Sequence, residues 1–191
     1  MTESNYSEKF TAILSGLTGS KGSDPQKIHE SIRHYGLIDQ SLLPMTRTKE
    51  EFFDESDITD SLRSEGLNWL VRNTYQHDWV WRGSRPDNYI ELLKEALKSS
   101  PIAVSVSAWN RQGDVYVSDK GSVNNHYCLL YKIDDEGYPW IFDSYDHSKK
   151  KLSKDHNIRR AKRIHIQKRT KPAMRKHVRI LQAILNFLLK K

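Results

Sequence analysis

Two runs of strand-type residues, 126–133 and 138–145, are joined by only four residues, Asp134, Asp135, Glu136 and Gly137. Aspartate can accept a backbone N–H and glycine adopts positive φ without penalty, so this link reads as a hairpin turn. The flanking runs are rich in Tyr, Leu, Ile, Trp and Phe, which favour a pleated, half-buried surface. Antiparallel pairing across so short a link brings the start of the first run close to the end of the second. His126 and Asp143 occupy those two positions.

More strands are expected on either side. Residues 102–109 alternate apolar with small or polar side chains, and 161–167 alternate Ile164 and Ile166 against basic residues. Residues 111–114 read as a turn. The first half of the chain reads as helical. Phe10, Ile13, Leu14 and Leu17 recur at helical spacing. Asp24 and Pro25 supply an N-cap and a first-turn proline, Ile28, Ile32 and Tyr35 share one face, and Gly36 fits a C-terminal stop. Helices are also expected at 48–53, 59–71 and 86–97. The aromatic stretch with Trp69, Tyr75, Trp79 and Trp81 matches no pattern well. Helices first and an antiparallel sheet after them make an α+β protein.

Charge divides the chain near Ser148. Residues 149–191 hold 16 Lys and Arg against one acid, Asp155, a net charge of +15. The whole chain carries +7, which leaves −8 for residues 1–148. Three regions are therefore expected: a main domain at 1–148, a basic strand-containing extension at 149–170, and a basic amphipathic helix at 171–191. In that last segment Met174, Val178, Leu181, Leu185 and Leu188 recur at heptad-like spacing.

A histidine beside a carboxylate is the base and orienting acid that an activated nucleophile needs. The residues around this pair resemble the C-terminal part of papain-like cysteine peptidases. Residues 91–97 followed by Pro101 and the 102–106 strand resemble that family's helix and proline-led strand. Asn125 and His126, then Tyr127 to Tyr131, resemble its histidine strand. Trp140, Asp143, Ser144 and Tyr145 resemble its Trp-x-x-x-Asn-Ser-Trp pattern, with one residue fewer after the tryptophan, aspartate in place of asparagine, as in the bacterial bacteriocin-processing branch, and tyrosine in place of the last aromatic. Residues 32–39 resemble a segment of the family's helical half.

The resemblance implies a papain-like fold of bacterial or phage type. It implies a peptide or protein substrate cleaved at peptide or amide bonds, with His126 as general base and acid and Asp143 as orienter. Trp109 and Tyr145 are expected as walls of the site. No metal and no cofactor are expected, and the eight scattered histidines form no recognisable ligand spacing.

The family's nucleophile is absent. The one cysteine, Cys128, lies two residues after His126 on the same expected strand, where it reads as a small buried hydrophobe and not as a thiolate at a helix N-terminus. The cysteine helix and its preceding glutamine are not found upstream, so the fold is expected to be incomplete. A split or truncated peptidase with a partner chain supplying that helix, or a pseudoenzyme, follows. The alternative class is a non-catalytic binding or structural protein whose residues 149–191 meet anionic membrane or nucleic acid. No signal peptide or transmembrane run is evident, and a cytoplasmic or virion-associated location is expected.

Overall fold

The computed structural model describes residues 5–18, 23–46, 48–119 and 121–170. The expected helix at 171–191 lies outside them. The chain divides into two compact units, Met1–Tyr75 with Ile166–Lys191, and Gln76–His165.

The first unit is mainly helical. α1 (Glu8–Leu14) is capped by Ser7, whose hydroxyl accepts from the Phe10 amide, and α2 (Pro25–Tyr35) is capped by Asp24. α3 (Lys49–Phe52) opens with a full capping box between Thr48 and Glu51. α4 (Asp60–Arg72) starts at Thr59. Phe10, Ile13, Ile38, Leu43 and Ile58 make the core of this unit.

The expected apolar face of α2 differs in detail. Ile28 and Ile32 are half-buried and Tyr35 is exposed, while His29 and Ser31 are buried. A close backbone contact lies at the end of the helix. A Cβ on Gly66 would stand 2.2 Å from the Tyr35 carbonyl oxygen, and one on Gly36 would stand 1.9 Å from the Gly66 carbonyl. Glycine at both positions lets α2 and α4 touch there, and Gly36 also holds a φ of 77°. His29 Nδ1 lies 2.5 Å from the Tyr75 hydroxyl.

The second unit is built on a six-stranded sheet in the order β1-β8-β2-β5-β6-β7. Its strands are β1 (Asn73–Arg82), β2 (Ile102–Val106), β5 (His126–Ile133), β6 (Pro139–Asp143), β7 (Ser148–Lys151) and β8 (Arg160–Lys168). Pairing is antiparallel from β8 through β2, β5 and β6 to β7. A separate hairpin, β3 (Asn110–Gln112) and β4 (Val115–Val117), stands where only a turn was expected, with Gly113 at its tip. The third expected strand stops at Asp143 rather than Tyr145. The compositional shift at Ser148 falls at the start of β7, an edge strand of the sheet.

One face of this sheet is covered by α5 (Tyr89–Leu97). Tyr89, Leu93 and Ala96 pack with Ile102, Val104, Val106, Cys128, Leu130 and Ile141, most of them without solvent exposure. Alternation places those sheet residues on one face, because β2 pairs Val104 with Cys128 and Ile102 with Leu130. The α+β class read from the sequence is thus the observed architecture.

Candidate active site

His126 begins β5, and two asparagines fix that start. The Asn125 amide donates to the Val106 carbonyl, and its side-chain oxygen accepts from the Ala108 amide at 3.0 Å. Asn124 Nδ2 donates to the carbonyls of Ser105 and Asn157. The first residue of β5 is therefore pegged to the end of β2, opposite Val106.

Asp143 ends β6, and the turn between the strands is held by Asp134. Its carboxylate accepts from the Tyr138 amide at 2.8 Å and from Trp140 Nε1 at 2.9 Å. The pairing then contains a bulge. Lys132 faces Trp140, but Leu130 faces Ile141, so Tyr131 is an extra residue on β5. Its effect on the site is decisive. Side chains alternate along a strand, so a shift of one residue turns a side chain to the other face. With the bulge, Ile141 and Asp143 share the face of Leu130, Cys128 and His126. Without it, Asp143 would face away from His126.

The two side chains meet. His126 Nε2 lies 2.7 Å from Asp143 Oδ1, with side-chain exposures of 5% and 0%. An ionised carboxylate only accepts, so Nε2 carries the proton in this bond. The other ring nitrogen, Nδ1, has no hydrogen-bond partner among the described residues. Asp143 Oδ1 also accepts from the Tyr145 amide at 3.1 Å, and Oδ2 accepts from Lys150 Nζ at 2.7 Å. Burial would raise the Asp143 pKa, but the bonds from Lys150, the Tyr145 amide and His126 outweigh it and hold the carboxyl below its ordinary range.

Aromatic rings flank the imidazole. The Tyr145 ring centroid lies 4.0 Å from that of His126, and Trp109 meets His126 edge-on at 5.5 Å. Trp109 is itself set by an edge contact to Tyr116 at 5.6 Å. Tyr145 is 71% exposed and Trp109 is half-buried, so His126 contacts one exposed and one half-buried aromatic ring. All four residues singled out from the sequence, His126, Asp143, Trp109 and Tyr145, are thus brought together.

Lys150 joins this cluster without having been expected there. It belongs to a run of three lysines, which reads as a solvated basic patch. Edge strand β7 turns it inward to 3% exposure, beside Asp143. Strand alternation is the signal that could have found it, once 148–151 is recognised as a strand. Lys162 on β8 is also buried, so these basic runs present fewer exposed cations than their composition suggests.

Cys128 sits in the core at 7% exposure. Burial, and then the nearby Asp143 charge, push its thiol pKa well up, with Lys150 opposing. Such a thiol stays protonated and is no nucleophile at neutral pH. Among the described residues no group of three or more His, Cys, Asp or Glu could hold a metal ion, and no helix is long and apolar enough to cross a membrane.

No family model matches the sequence, and no curated protein matches it. The residue geometry therefore carries the functional argument.

Proposed function

We propose that this chain carries the base and orienting acid of a papain-like cysteine peptidase, with the nucleophilic thiol supplied by a partner. The observation that carries the reading is the His126 and Asp143 pair at 2.7 Å, buried at the strand ends of one hairpin. Asp143 fixes the tautomer with the proton on Nε2 and stabilises the imidazolium. Nδ1 is then left to take a proton from an attacking thiol and return it to the leaving amine. Tyr145 covers the ring from outside and Trp109 backs it from inside. The helix–strand–hairpin sequence from α5 to β6, with aspartate at 143, supports a papain-like arrangement. Because Cys128 is the chain's one cysteine and lies in the core, the thiol belongs on a partner chain that brings a helix N-terminus to His126.

The test separates the base from the nucleophile. A thiol-directed peptidase probe should leave the chain alone unlabelled. With an activated ester and an added small thiol, the chain should speed thiolysis, and His126→Ala should lower that rate by roughly tenfold or more. Equal rates for His126→Ala and the parent protein would remove the enzyme reading. Labelling of Cys128 would overturn the assignment of the thiol to a partner.

A further inference from the structure

Lys150 has an environment that a structural lysine does not need. Its ammonium has three protons to place. It donates to Asp143 Oδ2 at 2.7 Å, to both carboxylate oxygens of Asp146 at 2.6 Å, and to Ser148 Oγ at 2.8 Å. Asp146 is in turn held by the Ser148 amide and hydroxyl. The ammonium also stands 5.3 Å from the centre of the Trp109 ring, the ring that backs His126. One side chain therefore touches the orienting acid, a balancing acid and the inner wall of the site.

We propose that Lys150 is a positioning residue for His126, acting through Asp143 and balanced by Asp146. Asp143 and Asp146 carry two negative charges and Lys150 one positive charge. With neutral His126 the cluster is at −1, and with the imidazolium it is neutral. The cluster therefore accepts the proton that a general base must take up. Lys150 keeps that acceptance moderate, since Asp143 alone would bind the imidazolium more strongly. It also fixes the rotation of the carboxylate, because with Oδ2 committed to Lys150, Oδ1 faces the imidazole. Asp146, on the turn between β6 and β7, offsets the repulsion between Lys150 and the imidazolium. The other titratable groups near the ring are Tyr145, whose ring centroid lies 4.0 Å from that of His126, Cys128 on β5, Tyr116 on β4 beyond Trp109, and His156 in the segment before β8, whose ring lies 6.5 Å from Trp109. The relevance to catalysis rests on the peptidase reading, whereas the effect on His126 does not.

The experiment is an NMR titration of the His126 ring in the intact chain. Lys150→Met removes the cation and should raise the His126 pKa by about one unit. Asp146→Asn removes the balancing anion and should lower it, by ~0.3–0.5 unit because that carboxylate is partly in water. Lys150→Arg keeps the charge and should titrate close to the parent. Shifts of opposite sign support the inference. No shift in either variant, or shifts of the same sign, would overturn it. If Lys150→Met does not fold, the exposed Asp146→Asn change still decides: a downward shift supports the coupling and an unmoved titration refutes it. Opposite shifts without any thiol-dependent rate would leave the coupling standing and remove the peptidase reading.

Discussion

Lys9 in the helical unit and Lys150 in the sheet unit are both buried, and the two are satisfied differently. In the helical unit Lys9 is fully buried, donating to the Glu51 carbonyl and paired with Asp57, whose side chain is 46% exposed. That pair ties α1 to the turn that follows α3 and touches no candidate site. In the sheet unit Lys150 meets two carboxylates, one of which is itself buried and bonded to a histidine. The first cation closes a local packing problem. The second is part of a network that ends on a titratable ring. A buried charge alone therefore says little about function, and what its counter-ion touches says more.

The largest effect that would sharpen the contrast is in the helical unit. Gly66→Ala puts a methyl group against the Tyr35 carbonyl and 3.1 Å from Phe10 Cζ. Chemical denaturation should give a loss of about 3 kcal/mol, since backbone cannot give way as a side chain can. The His126 titration of the folded variant should be unchanged. Lys9→Met comes next. It loses the Glu51 carbonyl bond but leaves Asp57 partly in water, so a cost of about 1–3 kcal/mol is expected. If Lys9→Met moved the His126 titration as Lys150→Met does, the distinction between the two lysines would collapse.

A pH effect follows from His156. Burial depresses its pKa, opposed by hydrogen bonds to the Tyr116 and Ser107 backbone and by the Asp155 charge. The folded state then binds fewer protons than the unfolded state. The stability contributed by the neutral ring is full above the unfolded value of about 6.5 and is lost as pH falls through the folded value. Urea midpoints should fall below pH 6.5 with a slope of at most about 1.4 kcal/mol per pH unit from this group. His156→Asn should flatten that slope, and an unaltered slope would assign the pH dependence elsewhere. The smallest effect is on Cys128. Its thiol should stay unreactive to an aromatic disulfide reagent until the protein unfolds, and fast labelling of the native protein would contradict its place in the core.

The hairpin was legible because its turn and both strands carry strong local signals. The start of β5 at His126 and the helices at 25–35 and 60–72 follow from caps and periodicity in the same way. β1 was not legible. α4 ends at Arg72 and β1 begins at Asn73 with no glycine or proline between them, and Trp79 and Val80 are both half-buried, which breaks the alternation. The β3–β4 hairpin is only three residues a side and wholly without buried positions, so no pattern betrays it. Within the site, His126 and Asp143 could be placed near each other by counting across the turn. Their sharing of a face could not, because it depends on the bulge at Tyr131. Lys150 was hidden by its neighbours, since Lys149 and Lys151 give the run the look of a solvated patch.

Asp143 holds His126 with the proton on Nε2 and leaves Nδ1 open. Nitrogen-15 NMR of the histidine rings near neutral pH tests it directly. His126 should be the Nε2–H tautomer, with a downfield, slowly exchanging Nε2 proton that disappears in Asp143→Ala. A His126 ring found as the Nδ1–H tautomer, or unchanged by Asp143→Ala, would contradict it.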